Sequence, residues 1–194
     1  MADLAGLINQ LTSGDDDLAE NAASEIGAFG ASAIPSLADL FSSEQTDVRW
    51  WAVRALAGIR NQPEVEELLR QALHDPEHSV QQCAALGFTT HPCASIVPDL
   101  VACLSGADQL LARLAGTALI AIGGEAVPAL LGVMEDGPQI ARLEAVKALA
   151  EIADARAIPV FFKAVQEGDS RLIEYWSEVG LDNLGIGMNF FKPG

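Results

Sequence analysis

The sequence predicts an all-α protein, an α-solenoid of six antiparallel helix pairs, and two recurring patterns carry that prediction. In the first, a small residue returns at Ala22, Ala52, Ala84, Ala115, Ala145 and Ser177, at intervals of 30, 32, 31, 30 and 32 residues. Around each, apolar side chains fall four residues before, four after and, except at His91, seven after. That spacing is one face of a helix. In the second pattern, Ile34-Pro35, Val97-Pro98, Val127-Pro128 and Ile158-Pro159 each open another helix, with Leu37, Leu100, Leu130 and Phe161 two residues past the proline. Proline suits a first helical turn, where its missing N–H would have no partner anyway. Strand-type alternation is nearly absent.

Each unit therefore reads as a helix A followed by a helix B. Leu4, Leu7 and Leu11 place the first A helix at 2–13 without a proline, and Leu18, Ala22, Ile26 and Phe29 place the first B helix at 16–29. Ile34-Pro35 opens A at 34–43, and Val48, Ala52, Leu56 and Ile59 give B at 46–60. Val65-Glu66 with Leu68 fills the third A slot at 63–74, ahead of Val80, Ala84, Phe88 and His91 in B at 77–91. The later A helices fall at 95–105, 125–136 and 156–167. Their B partners fall at 107–122, around Leu111, Ala115, Leu119 and Ile122; at 138–153, around Ala141, Ala145, Leu149 and Ile152; and at 169–184, around Ile173, Ser177, Leu181 and Leu184. One short pair cannot bury its apolar stripe, whereas stacked neighbours share a core. Residues 1–186 are thus expected to form one elongated domain. The apolar tail, residues 187–194 with Phe190 and Phe191, is expected to fold back as a cap, or alternatively to serve a dimer contact.

The run Asp47-Val48-Arg49-x-x-Ala52-x-x-Ala55-Leu56, set between such proline-opened helices, resembles short HEAT-like repeats of the kind also found in phycobilisome lyase subunits. The resemblance extends over residues 2–184. It implies a right-handed superhelix of the HEAT/armadillo type whose B helices line the concave side. The motif's arginine recurs at Arg142, but Ala19, Gln81, Ala112 and Glu174 hold the other matching sites, against a regular Asp/Arg ladder. The Thr-Pro-Leu-His of ankyrin repeats and the Trp-x-x-Leu-Gly of tetratricopeptide repeats do not occur. Deoxyhypusine hydroxylases, which are HEAT-like enzymes, hold iron through His-Glu pairs, and no His-Glu dipeptide occurs here.

Charge and motifs narrow the chemistry. Eleven lysines and arginines against 27 acids give a net charge of −16, which repels phosphate backbones and excludes nucleic acid as the expected partner. Met1-Ala2-Asp3-Leu4 has no basic region, and the uncharged stretch Leu114–Gly124 is short and broken by glycines. Neither a signal peptide nor a membrane span is expected, and a cytoplasmic location follows. Cys83, Cys93 and Cys103, ten residues apart, fit small buried side chains in a reducing compartment better than disulfides or a zinc site. His74-Asp75-Pro76-Glu77-His78 is the only histidine cluster; its proline makes it a turn and a third ligand is missing, so it reads as a solvated turn. His91-Pro92-Cys93 reads as a half-buried helix end. No nucleophile elbow or phosphate-binding loop is present. No catalytic residue, metal ligand or cofactor is expected.

The candidate site lies on the B helices. Counting from the central small residue at about 100° per residue, positions −2, +2 and +5 point away from the apolar stripe. The first two rows contain Trp50, Arg113, Leu143 and Tyr175, then Arg54, Leu86 and Lys147, and these seven are the candidate partner contacts. The third row reads Gly27, Ala57, Thr89, Ile120, Ala150 and Asp182. With cations at Arg54, Arg113 and Lys147 and acids only at Glu20 and Asp182, this face is expected to be mildly cationic and partly apolar. Leu86, Leu143 and Ile120 have the alternative of burial within a curved stack. Trp51 and Trp176, at position −1, are expected to wedge between repeats. Arg49 and Arg142 are expected to bond turn carbonyls or nearby aspartates. The leading function is a non-enzymatic scaffold or adaptor holding a segment of another protein, with the acidic exterior able to steer a basic partner. The resemblance implies an alternative, a bilin lyase or bilin-chaperone subunit, with propionates on Arg54, Arg113 and Lys147 and rings on Trp50 and Tyr175. A further alternative is an acidic inhibitor or immunity-type protein for a basic partner.

Overall fold

The computed structural model describes residues 3–168 and 170–186. Twelve α-helices and four short 3-10 segments account for the regular structure, with no strand among the described residues. The chain divides into two compact units, residues 1–91 and 92–194. The first contains α1 (Leu4–Leu11), α2 (Asp16–Ile26), α3 (Ile34–Phe41), α4 (Thr46–Leu56), α5 (Pro63–Ala72) and α6 (His78–Gly87). The second contains α7 (Val97–Leu104), α8 (Gln109–Ile122), α9 (Val127–Asp136), α10 (Gln139–Ile152), α11 (Ile158–Glu167) and α12 (Arg171–Asn183). Within each unit the even-numbered helix packs on the odd-numbered one before it. The even-numbered helices also lie side by side, α2 against α4 against α6 and α8 against α10 against α12. The expected tail, with Phe190 and Phe191, lies outside the described residues.

Local chemistry explains where the helices start. Proline stands in the first turn of α3, α5, α7, α9 and α11. Four of the other seven begin on a side-chain acceptor: Asp3 receives the Ala5 N–H, Asp15 the Leu18 N–H, Asp108 the Leu110 and Leu111 N–H groups, and Ser170 the Ile173 N–H. Caps of this kind stabilise a helix by about 1 kcal/mol each. The end of α10 is less well served, because Ala153 adopts a left-handed conformation at φ 53°, ψ 44°. A Cβ is disfavoured there and glycine is not, so Ala153→Gly should stabilise the fold by about 0.5–1 kcal/mol. A thermal melt checks this, the expected result being a rise in midpoint.

The central small residues form the innermost layer. Ala22, Ala52, Ala84, Ala115, Ala145 and Ser177 are all fully buried. Ser177 satisfies its hydroxyl by donating to the Ile173 carbonyl at 2.8 Å. Ile26, Leu56, Phe88, Leu119, Leu149 and Leu181, one turn on, are buried as well. Leu18 departs from the frame and is exposed in the first turn of α2.

At Gly27, Ala57 and Ala150 the +5 row meets a neighbouring repeat, whereas Asp182 in the same row is exposed. A Cβ on Gly27 would lie 2.9 Å from the Gly58 carbonyl oxygen, so α2 and α4 meet there backbone to backbone. His91 lies with Nε2 3.0 Å from the Ala57 carbonyl, to which it donates, and Asn183 Nδ2 donates to the Ala150 carbonyl at 3.0 Å. The last carbonyls of a helix have no partner within it. A polar side chain from the following repeat supplies one, which is why Ala150 is buried and why a histidine can occupy an apolar frame position.

Arg49 behaves as the sequence predicts. Its Nε and Nη2 donate to Asp75 at 2.8 and 2.9 Å, and its Nη1 to the Ser43 and Glu44 carbonyls at 3.1 and 3.2 Å. Asp75 also accepts the Glu77 N–H at 2.9 Å. The reading of residues 74–78 as a solvated turn is therefore corrected: His74 and His78 are exposed, but Asp75 is buried and clamps the turn to α4. The three cysteines are free thiols, and burial pushes Cys83 up to about 12, well away from a reactive thiolate.

Candidate functional site

Among the described residues, the large apolar side chains left exposed are Leu18, Leu86, Leu110, Ile140, Leu172 and Tyr175. Each of them sits on the second helix of a pair, on α2, α6, α8, α10 or α12. On the first helices of the pairs no described large apolar side chain is exposed to that degree, although Leu40, Phe41, Leu131 and Phe162 are half-buried.

In the first unit a hollow of about 570 Å³ lies between the α1–α2 turn and the N-terminal half of α4. Leu11, Thr12, Gly14, Asp16 and Glu20 form one side, and Gln45, Asp47, Val48, Trp50 and Trp51 the other. The two indoles meet edge to face, with centroids 4.7 Å apart and planes at 89°. Trp51, expected between repeats, is half-buried and lines this hollow between the first repeat and the second. Arg54, one turn beyond Trp50, pairs with Glu20. Leu86, on α6, is 51% exposed.

In the second unit a hollow of about 520 Å³ lies between α8 and α10, lined by Leu110, Arg113, Ile140, Leu143, Glu144 and Lys147 among others. A neighbouring one of about 340 Å³ lies between α10 and α12, where Ile140 and Leu143 reappear beside Ser170, Arg171 and Leu172. Three candidate residues, Arg113, Leu143 and Lys147, are brought together here. Tyr175 projects from α12 at 56% exposure, its ring edge-on to Trp176 at 5.6 Å.

The candidate contacts are less cationic than expected. Lys147 Nζ binds Glu144 Oε1 at 2.8 Å and Arg54 is engaged by Glu20, so two of the three cations face a carboxylate. Such half-exposed pairs contribute at most about 1 kcal/mol, and their main effect is to reduce the local charge. Arg113 is exposed.

Sequence reasoning missed Leu110, Ile140 and Leu172, which occupy position −5 of their repeats. At 100° per residue that position falls near 220°, beside position +2 near 200°, so the same arithmetic taken one turn further back would have found them. No helix among the described residues is long and apolar enough to cross a membrane. No group of three His, Cys, Asp or Glu among them is placed to hold a metal ion.

Helix pairs repeated at this interval define a helical-repeat protein. The family model for HEAT repeats matches residues 4–88 and 97–182, and the chain belongs to that family. Phycocyanobilin lyase subunit beta of Nostoc sp. is 32% identical over 109 residues, 56% of this chain and 54% of that protein. The chain thus spans about half the length of this relative. Among solved structures, the complex of CpcE and CpcF of phycocyanin lyase from Nostoc sp. has a TM-score of 0.58 at 22% identity, covering 95% of this chain and 77% of that one. A designed armadillo repeat protein in complex with the peptide (KR)4 has a TM-score of 0.54 at 20% identity, covering 94% of this chain and all of that one (100%). At these identities the structural likeness shows the fold, an α-solenoid of HEAT/armadillo type.

Proposed function

We propose that the chain is a scaffold or adaptor that holds a segment of another protein along the second helices of its repeats, with Trp50, Arg54, Leu86, Arg113, Leu143, Lys147 and Tyr175 among the contacts. One observation carries this reading: the exposed large apolar side chains all lie on those helices. Apolar surface left in water forgoes about 25 cal/mol per Å², which a covering partner restores. Exposed aromatic and arginine side chains are the usual anchors of such contacts. A partner peptide and a partner subunit accompany two solved proteins of this fold, which is consistent with the reading. The test is partner capture by the native protein and by Trp50→Ala with Tyr175→Ala. Truncating two anchors should reduce recovery by about tenfold or more. Equal recovery would place the binding surface elsewhere.

A second reading is favoured by the 32% identity to a phycocyanobilin lyase subunit. On it, the α8–α10 hollow receives a bilin, with propionates on Arg113 and Lys147. Mixing the protein with phycocyanobilin should then shift the visible absorbance and alter tryptophan fluorescence. An unchanged spectrum removes this reading.

A further inference from the structure

We infer that the hollow between the α1–α2 turn and α4 seats a cationic side chain, a lysine or arginine of the bound segment, against the indoles of Trp50 and Trp51 and beside the carboxylates of Asp16 and Asp47. The inference rests on the binding-module reading and adds the chemistry of the occupant. The two indoles meet edge to face, so the edge of one ring covers part of the other's face, and both residues line the hollow. The ring faces carry the negative end of the aromatic quadrupole, which attracts ammonium and guanidinium groups.

The charges around the hollow favour the same occupant. Glu20 already accepts from Arg54, which leaves Asp16 and Asp47, both exposed and each in the first turn of its helix. A helix N-terminus contributes about half a positive charge, so two full carboxylates still outweigh the two helix ends they sit on. The only lysines or arginines in residues 1–91 are Arg49, Arg54, Arg60 and Arg70, and Arg49 is committed to Asp75. An anionic guest would meet repulsion from Asp16 and Asp47, and an apolar one would have to strip them of water without replacing its hydrogen bonds. Thr12 and Gln45, also in the lining, offer further acceptors to an ammonium group. The hollows between α8, α10 and α12 have no aromatic wall, and Glu144, the carboxylate among their lining residues, is bonded to Lys147.

The experiment titrates the full chain with a peptide of alternating lysine and arginine, and with its glutamine counterpart, by calorimetry and tryptophan fluorescence. A net charge of −16 attracts any polycation, so the deciding quantity is the difference between variants. Trp50→Leu keeps apolar bulk but removes the ring and should weaken the basic peptide by about fivefold to tenfold, whereas Trp50→Phe should weaken it less. Asp16→Asn with Asp47→Asn should weaken binding and reduce its salt dependence. The glutamine peptide should bind at least about tenfold more weakly than the basic one. Circular dichroism of each variant confirms folding. Failure of the basic peptide to bind, or binding indifferent to both sets of substitutions, overturns the inference. If partner capture still depends on Trp50 and Tyr175 in that case, the binding-module reading survives; if capture is indifferent to them too, both fail.

Discussion

Asp75→Ala should cost roughly 3–5 kcal/mol of stability, because it leaves the Arg49 guanidinium largely buried without its counter-charge. The pair is bidentate, and the two side chains are only 12% and 4% exposed. After the substitution Arg49 retains two carbonyl partners, from Ser43 and Glu44, and only the weaker field of the Glu77 carboxylate to offset its charge. The same carboxylate supplies pH dependence. Burial alone would raise the Asp75 pKa, but the Arg49 hydrogen bonds and the Glu77 N–H outweigh it and hold the carboxyl below the usual carboxylate range. A group whose folded pKa is depressed stabilises fully above its unfolded value, near 4, and loses that contribution as pH falls through the folded value. Urea unfolding at pH 7 should therefore show a lower midpoint for Asp75→Ala, and the gap from the native protein should narrow as pH falls below about 4. Hydrogen exchange should locate the loss in α4 and the α5–α6 turn. An unchanged midpoint at pH 7 would mean that the clamp contributes nothing.

Gly180→Ala should destabilise the second unit by about 1–3 kcal/mol, the range for forcing an extra carbon into a packed site. On helix propensity alone the change would be favourable by about 1 kcal/mol, so sign as well as size is at stake. A Cβ on Gly180 would lie 2.5 Å from two ring carbons of Phe161 and 3.0 Å from a third, inside any ordinary carbon contact. Phe161 is fully buried. Phe161→Leu removes the obstructing ring, so the double substitution should cost less than the sum of the two single ones. Denaturant unfolding of the four proteins measures that coupling. Stabilisation by Gly180→Ala would show that α11 and α12 do not approach this closely.

The repeat architecture was legible because its two signals are local. A small residue every thirty-one or so positions marks where a B helix is buried, and Ile-Pro or Val-Pro marks where an A helix begins, and neither needs knowledge of a partner element. What escaped was set between repeats. Gly27, Ala57 and Ala150 look outward by helical angle, yet a neighbouring repeat approaches each of them, and the polar groups that bond Ala57 and Ala150, His91 and Asn183, lie about thirty residues further along. Asp75 looked like an ordinary turn residue, although the aspartate that Arg49 needed had been anticipated as a type. Of the site, the rows that contain Trp50, Arg113, Leu143 and Tyr175 came from the angle alone. The apolar row Leu110, Ile140 and Leu172 lies one turn before the −2 row that the helical angle singles out. The division into two compact units leaves no mark in the thirty-one-residue rhythm.

On the adaptor reading proposed above, partners meet the second helices of the repeats and not the first. A photo-reactive amino acid placed in turn at Leu86, Leu143 and Tyr175, and at Glu66, Asp99 and Glu135 on α5, α7 and α9, tests it in one experiment. Irradiation in lysate should link the same protein to the first three positions and leave the other three unlinked. Crosslinks from Glu66, Asp99 and Glu135 with none from the B-helix positions would contradict the account.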